Sequence, residues 1–584
     1  MLNFARVFGQ IVASCPADWC DDEFPATQLS IDGKEAAPDT APQPGVVPSC
    51  SCRTAAKKST VTSQTPNKGR AYYHCATRKC RFFAWADGRQ NGAGSKSNGP
   101  LAWQRFPRVP IVADTGFAAA HLRQGGVGDC WFMSALAVVA ERHDLIARLF
   151  ADTAVNVAGC YSLRFFLDGE WTSILIDDRL PVSNAARRAD LAFEGWDGSA
   201  GLAYARCGDG MGGATHQMLW ACLIEKAYAK AHGSYKSTSG GEIQEALIDL
   251  TGAPCLSVNF NEGGFDSELL WRSMREWKRL ELPMGCATNG DETGELKEMG
   301  LCGSHAYSVL SVREVTLRDH DQFGGGGVRK ERLVHVRNPH GVGEWNGDWS
   351  ENSEKWASVL RSEGSARGEE RPGGTGKDDG TFWIDWTHFL MGFTVVECCL
   401  AYRGWHCASL PNAFPKTKSV WRVCEKIYRF TAPAGERTSL YLMNLQPTKR
   451  GAFCRDDRKK SYRPGDLSLI VARLSEDGES VAAVVGGGLR GAEKMGTIAL
   501  ELDPSASYIV VPFCLGANPT AAETTAAQPF KVRFYSSQPL TVTQEAFVEQ
   551  RPQQQQLALG VLREFTRKPA VACDGPVLTD CMWV

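Results

Sequence analysis

The chain has 584 residues, enough for about three to four domains. Its 43% hydrophobic and 22% charged residues are typical of a soluble globular protein, and its formal net charge of −2 excludes a globally basic nucleic-acid binder. It has no run of about 20 apolar residues, the length that a membrane-spanning helix needs. The 21 cysteines are odd in number and two of them, Cys398 and Cys399, are adjacent, so we expect reduced thiols in a reducing compartment, the cytoplasm or the nucleus.

The N-terminal segment, residues 1–31, starts with a short amphipathic pattern and ends in DWCDDEFPATQLS. A linker rich in Pro, Ala and Gly follows at 32–49. Next comes a compact unit at 50–87 that combines cysteines with aromatic residues, and then a linker rich in Gly, Ser and Asn at 88–100. The compact unit between two linkers predicts a small separate domain.

This unit contains a C-x-C pair and a C-x4-C pair, formed by Cys50, Cys52, Cys75 and Cys80. Structural zinc takes four thiolate or imidazole ligands in a tetrahedron, and a metal supplies the stability that a unit of about forty residues cannot obtain from its core. We therefore predict a structural zinc site. With its NKGR and FFAW runs the segment resembles a GRF-type zinc finger, although Ala71 and Tyr72 follow Gly69-Arg70.

The resemblance to GRF fingers implies a nucleic-acid partner, often single-stranded. The basic side chains that suit a phosphate backbone are Lys57, Lys58, Lys68, Arg70, Arg78, Lys79 and Arg81. The aromatic side chains that suit stacking on bases are Tyr72, Tyr73, Phe82, Phe83 and Trp85. At least half of these rings are expected in the core of the finger instead, and such small zinc modules also bind proteins, so both kinds of partner stay open.

From residue 101 to about 402, helical and strand patterns alternate, and one segment predicts a nucleophile. Cys130 follows the turn Gly126–Asp129 and opens the helical run CWFMSALAVVAER. The N-terminus of a helix favours the thiolate, the reactive form of cysteine. Gln124, six residues earlier, is placed to donate its side-chain amide to the oxyanion that forms when a thiolate attacks a peptide carbonyl.

Papain-like chemistry also needs a histidine to move the proton and an amide to orient that histidine. GLCGSHAYSVLSV places His305 beside a predicted strand, and LVHVRNPHGVGEWNGDWS places Asn338 at the end of another. Pro339 fixes the chain as it leaves this strand. The order Cys130, His305, Asn338 matches the papain-like order, so we predict these three as the catalytic residues, with Gln124 in the oxyanion hole.

These motifs resemble the calpain protease core: QGGVGDCW, GSHAYSV, RNPHGVGEWNGDW and DDGTFWIDWTHFL, together with WTSILIDDRLP, LIEKAYAKAHGSY and STSGG. The resemblance covers about 101–402 and implies an α+β fold, a two-lobed papain-like core with its active site between the lobes. It implies a first lobe at 101–252 that carries Cys130 and a second lobe at 253–402 that carries His305 and Asn338. The expected activity is limited endoproteolysis of protein substrates.

After the core, six strand patterns separated by turn residues predict an antiparallel β-sandwich at 403–548, similar to the one that follows the calpain core. The RPQQQQ run then introduces a tail at 549–584 that we expect to be flexible. No EF-hand loop occurs in the sequence, so no interface for an EF-hand subunit is expected. DDEFP (21–25) and LAWQRFP (101–107) resemble two halves of the opening region of a calpain core, which places the finger as an insertion in the start of that core.

One departure from the calpain pattern lies beside the catalytic histidine. Where calpains usually have a Trp that shields the His–Asn hydrogen bond from water, this chain has His340. We expect a wetter, weaker bond between His305 and Asn338, and a His305 pKa lowered by like-charge repulsion.

The second departure concerns calcium. The resemblance implies one calcium site in each lobe, but in the first lobe His121 and Met218 stand where acids are usual. In the second lobe Thr381 replaces another acid, while three ligand positions are retained as Glu344, Glu351 and Asp379. Because calcium prefers six to eight oxygen ligands, we expect weak sites and partial or absent calcium dependence.

An alternative function stays open. His340 and the depleted calcium sites also suit a catalytically weak calpain fold that acts as a scaffold or as a nucleic-acid-binding protein through the finger. The intact set of Cys130, His305 and Asn338 argues against it.

Overall fold

The computed structural model describes seventeen stretches of the chain. They are 2–16, 19–33, 57–60, 71–74, 83–85, 101–107, 109–183, 201–208, 217–291, 293–319, 327–359, 379–415, 422–447, 450, 465–487, 495–514 and 529–567. Within these stretches no helix is both long and apolar enough to cross a membrane.

The N-terminal segment forms the amphipathic helix that its pattern predicts, α1 (Leu2–Ser14), followed by α2 (Gln28–Asp32). Helix α1 packs on the first lobe because its apolar face buries Phe8 against Ala158 and Cys160. The described part of the finger is an antiparallel three-stranded sheet of β1 (Lys57–Thr60), β2 (Ala71–His74) and β3 (Phe83–Trp85).

The chain on both sides of the finger lies on the first lobe. Phe24, before the finger, and Trp103, after it, pack on the same ring of Tyr235, with ring centroids 6.1 and 6.4 Å away. Arg105 also bridges the two sides, since its guanidinium donates to the backbone oxygen of Trp19. The finger therefore lies, along the chain, between two segments that are both anchored on the first lobe.

The first lobe is built around one buried helix. Its elements are β4 (Ala102–Gln104), β5 (Leu122–Arg123), α3 (Cys130–Ala140), α4 (His143–Ile146), β6 (Cys160–Leu167), β7 (Glu170–Asp177), β8 (Leu180–Ser183), β9 (Gly201–Leu202), β10 (Arg206–Cys207), α5 (Trp220–Ala231) and α6 (Ile243–Thr251). Every residue of α3 from Trp131 to Ala140 is buried, which explains its uniformly apolar sequence. The hairpin β6–β7 turns at Asp168-Gly169, both with positive φ.

The second lobe is an antiparallel six-stranded sheet in the order β11-β16-β12-β13-β14-β15. Its elements are β11 (Cys255–Asn259), α7 (Ser267–Arg279), β12 (Met284–Ala287), α8 (Glu295–Glu298), β13 (Ala306–Asp319), β14 (Gly327–Arg337), β15 (Thr381–Asp385), α9 (Trp386–Gly392) and β16 (Val395–Cys399). One continuous hydrophobic core joins the two lobes. This core fixes α3 of the first lobe against β13 of the second.

Two sheets form the predicted sandwich, in the orders β17-β25-β20-β23 and β22-β21-β24-β19-β26, with β18 paired to β24. Its strands are β17 (His406–Ala413), β18 (Arg422–Val423), β19 (Lys426–Thr431), β20 (Thr438–Leu445), β21 (Leu467–Leu474), β22 (Val481–Gly487), β23 (Met495–Leu502), β24 (Ser507–Cys514), β25 (Pro529–Ser536) and β26 (Thr543–Ala546). The outer face of the first sheet places Tyr441, Met443 and Tyr535 in the core of the protease lobes, so the sandwich is packed onto them.

The prediction of a flexible tail is wrong for part of its range. Residues Pro552–Arg567 form helix α10, which buries Leu557, Val561 and Phe565 against the second sheet of the sandwich. The low-complexity glutamines hid the helical spacing of these apolar residues, whose burial stabilises the helix. Residues 568–584 lie outside the described part of the chain.

Candidate active site

Cys130 is the first residue of α3, at the end of the turn that the sequence predicts. The backbone of Ala306, at the start of β13, forms a hydrogen bond with its thiol. Burial raises the pKa of Cys130, and the hydrogen bonds from Ala306 and from the helix N-terminus oppose that shift only in part. The thiol is therefore protonated before a substrate arrives.

His305 and Asn338 meet because they lie at adjacent ends of the neighbouring strands β13 and β14. His305 Nε2 lies 3.0 Å from Asn338 Oδ1. Asn338 is itself fixed, because its Nδ2 donates to Gly343 O at 3.1 Å and its Oδ1 accepts the His340 backbone N–H at 3.0 Å. These two bonds orient the amide so that its oxygen faces the ring, and the histidine then carries its proton on Nε2. Nδ1 is left as the base.

Direct hydrogen bonds hold the two lobes together around this site. Ser134 Oγ of α3 donates to Ala306 O at 2.9 Å, and Ser308 Oγ of β13 donates back to Ser134 O at 2.9 Å. On the other side of the cleft, the Gln124 N–H donates to Pro339 O at 2.7 Å. The structure thus pairs His305 with Asn338 and places the Cys130 thiol against Ala306, the residue that follows His305.

His340 shields the catalytic histidine. Its ring lies parallel to that of His305, with centroids 4.6 Å apart and an angle of 2° between the planes. His305 and Asn338 are 7% and 1% exposed, so the expectation of a wet bond is wrong: the second imidazole covers the site as a larger ring would. The pKa of His305 is lowered to about 4, mainly by burial and further by His340, while the hydrogen bond to Asn338 opposes the shift.

Gln124 is buried in the loop before Cys130, but its amide points into that loop. Its Nε2 donates to Val127 O at 2.8 Å, and the amide also faces the Asp129 carboxyl. An oxyanion role requires the amide to turn toward the cleft.

A buried pair of acids behind the nucleophile was not predicted from the sequence. Asp129 and Glu225 are both buried and interact electrostatically, and desolvation is the main cause that raises both pKa values, that of Asp129 to about 7. The Glu225 carboxyl also accepts the Ala205 N–H at 3.0 Å. Because the two acids interact, they titrate as a pair rather than independently. The signal in the sequence was the Asp directly before the cysteine.

The three candidate calcium ligands of the second lobe converge, because one oxygen each of Glu344, Glu351 and Asp379 lie within 4.8 Å of one another. Carboxylate oxygens suit a hard cation such as calcium. Part of their capacity is used internally: Glu344 Oε1 accepts the Asp379 N–H at 2.9 Å, and Asp379 Oδ1 accepts the Thr381 hydroxyl at 2.6 Å. The donor set fits calcium in kind but is incomplete in number.

The predicted zinc ligands, Cys50, Cys52, Cys75 and Cys80, lie outside the described residues. In the described strands of the finger, Tyr73 is buried, whereas Tyr72 is half-buried with its ring 5.7 Å from that of His74. Lys57 and Lys58 are exposed on the edge strand β1. Tyr73 therefore belongs to the core of the finger rather than to a stacking surface.

Comparison with known proteins gives the family. The profile of the calpain family cysteine protease domain matches residues 88–400, and that of the GRF zinc finger matches 48–89. Human Calpain-14 is 32% identical over 305 residues, which cover 51% of this chain and 39% of that protein. Calpain-5 of Caenorhabditis elegans is 30% identical over 331 residues, 53% of this chain and 48% of that protein.

Calpain-type cysteine protease DEK1 of Arabidopsis thaliana is 31% identical over 284 residues, 48% of this chain and 11% of that protein. The chain thus spans less than half the length of each of these three relatives. The matched protease profile spans more than half of this chain. The chain belongs to the calpain family of cysteine proteases and carries a GRF zinc finger on the N-terminal side of the protease match.

Proposed function

We propose that the chain is an endopeptidase that makes limited cuts in protein substrates, with Cys130 as nucleophile, His305 as proton carrier and Asn338 as the group that orients His305. The observation that carries this proposal is the 3.0 Å hydrogen bond between His305 and Asn338, together with the bond between the Cys130 thiol and the backbone of Ala306, which directly follows His305. This is the arrangement that a papain-like triad needs.

The raised thiol pKa and the lowered imidazole pKa both favour neutral forms before the reaction. As the Cys130 sulfur attacks the substrate carbonyl, its proton moves to His305 Nδ1. The imidazolium then protonates the leaving amine, and a thioester remains on Cys130. Water, deprotonated by the same histidine, hydrolyses this thioester and restores the thiol.

We further propose that assembly of the cleft depends on calcium only partly or not at all. The hydrogen bonds of Ser134, Ser308 and Gln124 already join the lobes, and the second-lobe acids offer an incomplete ligand set. Zinc would hold the finger together through Cys50, Cys52, Cys75 and Cys80, and the finger would retain a single-stranded nucleic acid or a protein partner near the first lobe. The reduced cysteines support a cytoplasmic or nuclear location.

The test is cleavage of a loosely folded protein substrate such as casein, with calcium and with chelator. We expect discrete fragments from the wild-type chain under both conditions, and none from Cys130→Ser or His305→Ala. Strict dependence on millimolar calcium would contradict the calcium proposal alone. No cleavage under any calcium or zinc condition would contradict the enzymatic proposal.

A second candidate is a scaffold on a catalytically weak protease fold. The direction of the Gln124 amide, which donates to Val127 O rather than into the cleft, favours it. The same cleavage assay separates the two functions.

A further inference from the structure

An arginine of the sandwich, Arg450, reaches the helix that carries the nucleophile. Along the chain it lies between β20 and β21. On either side of it in sequence, the Gln446 amide donates to Gly465 O at 2.9 Å and accepts the Gly465 N–H at 2.7 Å, and Gln446 is buried. This double hydrogen bond joins the described residues that precede and follow Arg450.

The guanidinium of Arg450 is surrounded by acceptors of the first lobe. Nη2 and Nε reach the two carboxylate oxygens of Glu245, at 2.6 and 3.3 Å. Nη1 donates to the carbonyls of Gly240 and Ser237, at 2.6 and 3.2 Å. The guanidinium carbon lies 4.3 Å from the ring centroid of Trp131. The Arg450 and Glu245 side chains are only 12% and 11% exposed, so solvent screens these contacts little.

The segment that Arg450 holds, residues 237–241, is bonded on both sides of the nucleophile. Before Cys130, the Gly240 N–H donates to Gly128 O at 2.9 Å. After Cys130, Trp131 Nε1 donates to Thr238 O at 2.9 Å. A movement of this segment therefore moves the turn from which the thiol projects.

There is no room for the segment to relax toward Arg450. A Cβ built on Gly241 would lie 2.6 Å from Arg450 Nη2 and 2.6 Å from Trp131 Cε2. The glycine, the guanidinium and the indole thus form one packed layer.

We propose that Arg450 is a positioning residue for proteolysis: it holds the segment 237–241 and, through it, the turn that carries Cys130, so that the sandwich completes the active site. This inference rests on the proposed role of Cys130. Displacement of the sandwich therefore lowers the reactivity of Cys130 even though Cys130, His305 and Asn338 are themselves unchanged.

The sandwich supplies a matched control. Arg533 is buried and also lies over an aromatic ring of the first lobe, with its guanidinium carbon 4.2 Å from the ring centroid of Phe166. Its guanidinium donates to Ser409 Oγ of the sandwich at 2.9 Å, and it makes no hydrogen bond to residues 237–241 in the described part of the chain. Arg450→Met and Arg533→Met both remove a buried guanidinium and keep an apolar stem, but only the first releases the segment.

The experiment measures the rate at which iodoacetamide alkylates Cys130, by mass spectrometry of the peptide that contains it, together with the melting temperature of each full-length variant. Alkylation tests Arg450 even if the chain cleaves no substrate, so the two proposals fail separately. We expect Arg450→Met to slow alkylation about 10- to 100-fold, because small misplacements of reacting groups have effects of that size. Arg533→Met should lower the melting temperature by about as much as Arg450→Met does. It should leave the alkylation rate of Cys130 at the wild-type value.

Two further readouts separate positioning from general destabilisation. Arg450→Lys, which keeps the charge but not the planar fork, should react as slowly as Arg450→Met. Guanidinium ions at millimolar concentration should restore part of the rate to Arg450→Ala. Where cleavage is measured, kcat should fall with KM unchanged. Wild-type alkylation in Arg450→Met, or equal losses in the Arg450 and Arg533 variants, would overturn the proposal.

Discussion

The imidazole of His340 lies face to face with that of His305, with ring centroids 4.6 Å apart. Partial burial of its ring lowers the pKa of His340, so the neutral imidazole is favoured at neutral pH. At lower pH, a positive charge on His340 opposes protonation of His305, so the two rings are linked electrostatically.

His340→Trp should shift the acid limb of the kcat/KM profile to higher pH. The substitution removes the repulsion that lowers the pKa of His305 and leaves a ring over the His305–Asn338 bond. The measurement is kcat/KM for a peptide substrate from pH 4 to 8. His406→Phe, at an exposed histidine of the sandwich, is the control and should leave the limb in place. An unchanged limb in His340→Trp would show that the stacked ring has no electrostatic effect.

Stability should depend on pH through Asp129 and Glu225. Because the pKa of Asp129 is raised from 3.8 to about 7, the folded state binds the proton more tightly than the unfolded state. This contribution is full at low pH and is lost as the pH rises from about 4 to about 7. Glu225→Gln removes one of the two coupled charges, so the melting temperature should fall less between pH 5 and 7 than in the wild type.

The control for that experiment is Glu479→Gln, at an exposed position of the hairpin β21–β22. It should show the wild-type pH dependence. If the melting temperature changes equally with pH in the wild type, Glu225→Gln and Glu479→Gln, all measured with chelator present, the acid pair is not the source of the pH dependence.

Calcium should bind weakly in the second lobe. With an incomplete set of carboxylates, we expect millimolar calcium to raise the melting temperature of the wild type only slightly, and Glu351→Gln to abolish that rise. Glu354→Gln, three residues away and outside the cluster, is the control. A large calcium-dependent rise, or one that persists in Glu351→Gln, would contradict this account of the cluster.

Helix α10 should contribute to the stability of the sandwich. Phe565 is 5% exposed, and replacing a buried Phe with Ala costs about 3–5 kcal/mol. Leu559→Ala, on the exposed face of the same helix with 44% of Leu559 accessible, should cost far less. Urea unfolding followed by fluorescence compares the two variants, and similar midpoints would mean that the helix does not pack on the sheet in solution.

Disruption of the zinc finger should leave the reactivity of Cys130 unchanged. Cys75→Ser removes a predicted zinc ligand, so we expect it to abolish zinc retention and any binding of single-stranded DNA, with labelling of Cys130 unchanged. Cys407→Ser, at an exposed thiol of the sandwich, is the control. A gel shift at several salt concentrations measures the binding. If DNA binding is absent from the wild type, a protein partner is the remaining hypothesis.

Local patterns were enough to predict the helix that begins at Cys130 and the pairing of His305 with Asn338. These features depend on short motifs whose spacing is visible along the chain. What was missed depends on contacts between distant segments. The burial of the Asp129–Glu225 pair, the shielding by His340 and the reach of Arg450 to Trp131 arise only when the lobes and the sandwich pack together. Helix α10 was missed because four glutamines outweighed its apolar spacing.

The most direct test of the central claim is labelling with a peptidyl epoxide, followed by mass spectrometric identification of the modified residue. With chelator present, the account predicts one adduct on Cys130, absent from Cys130→Ser and strongly reduced in His305→Ala. Absence of an adduct on Cys130 both with chelator and with calcium, in a protein that is folded by its melting curve, would contradict it.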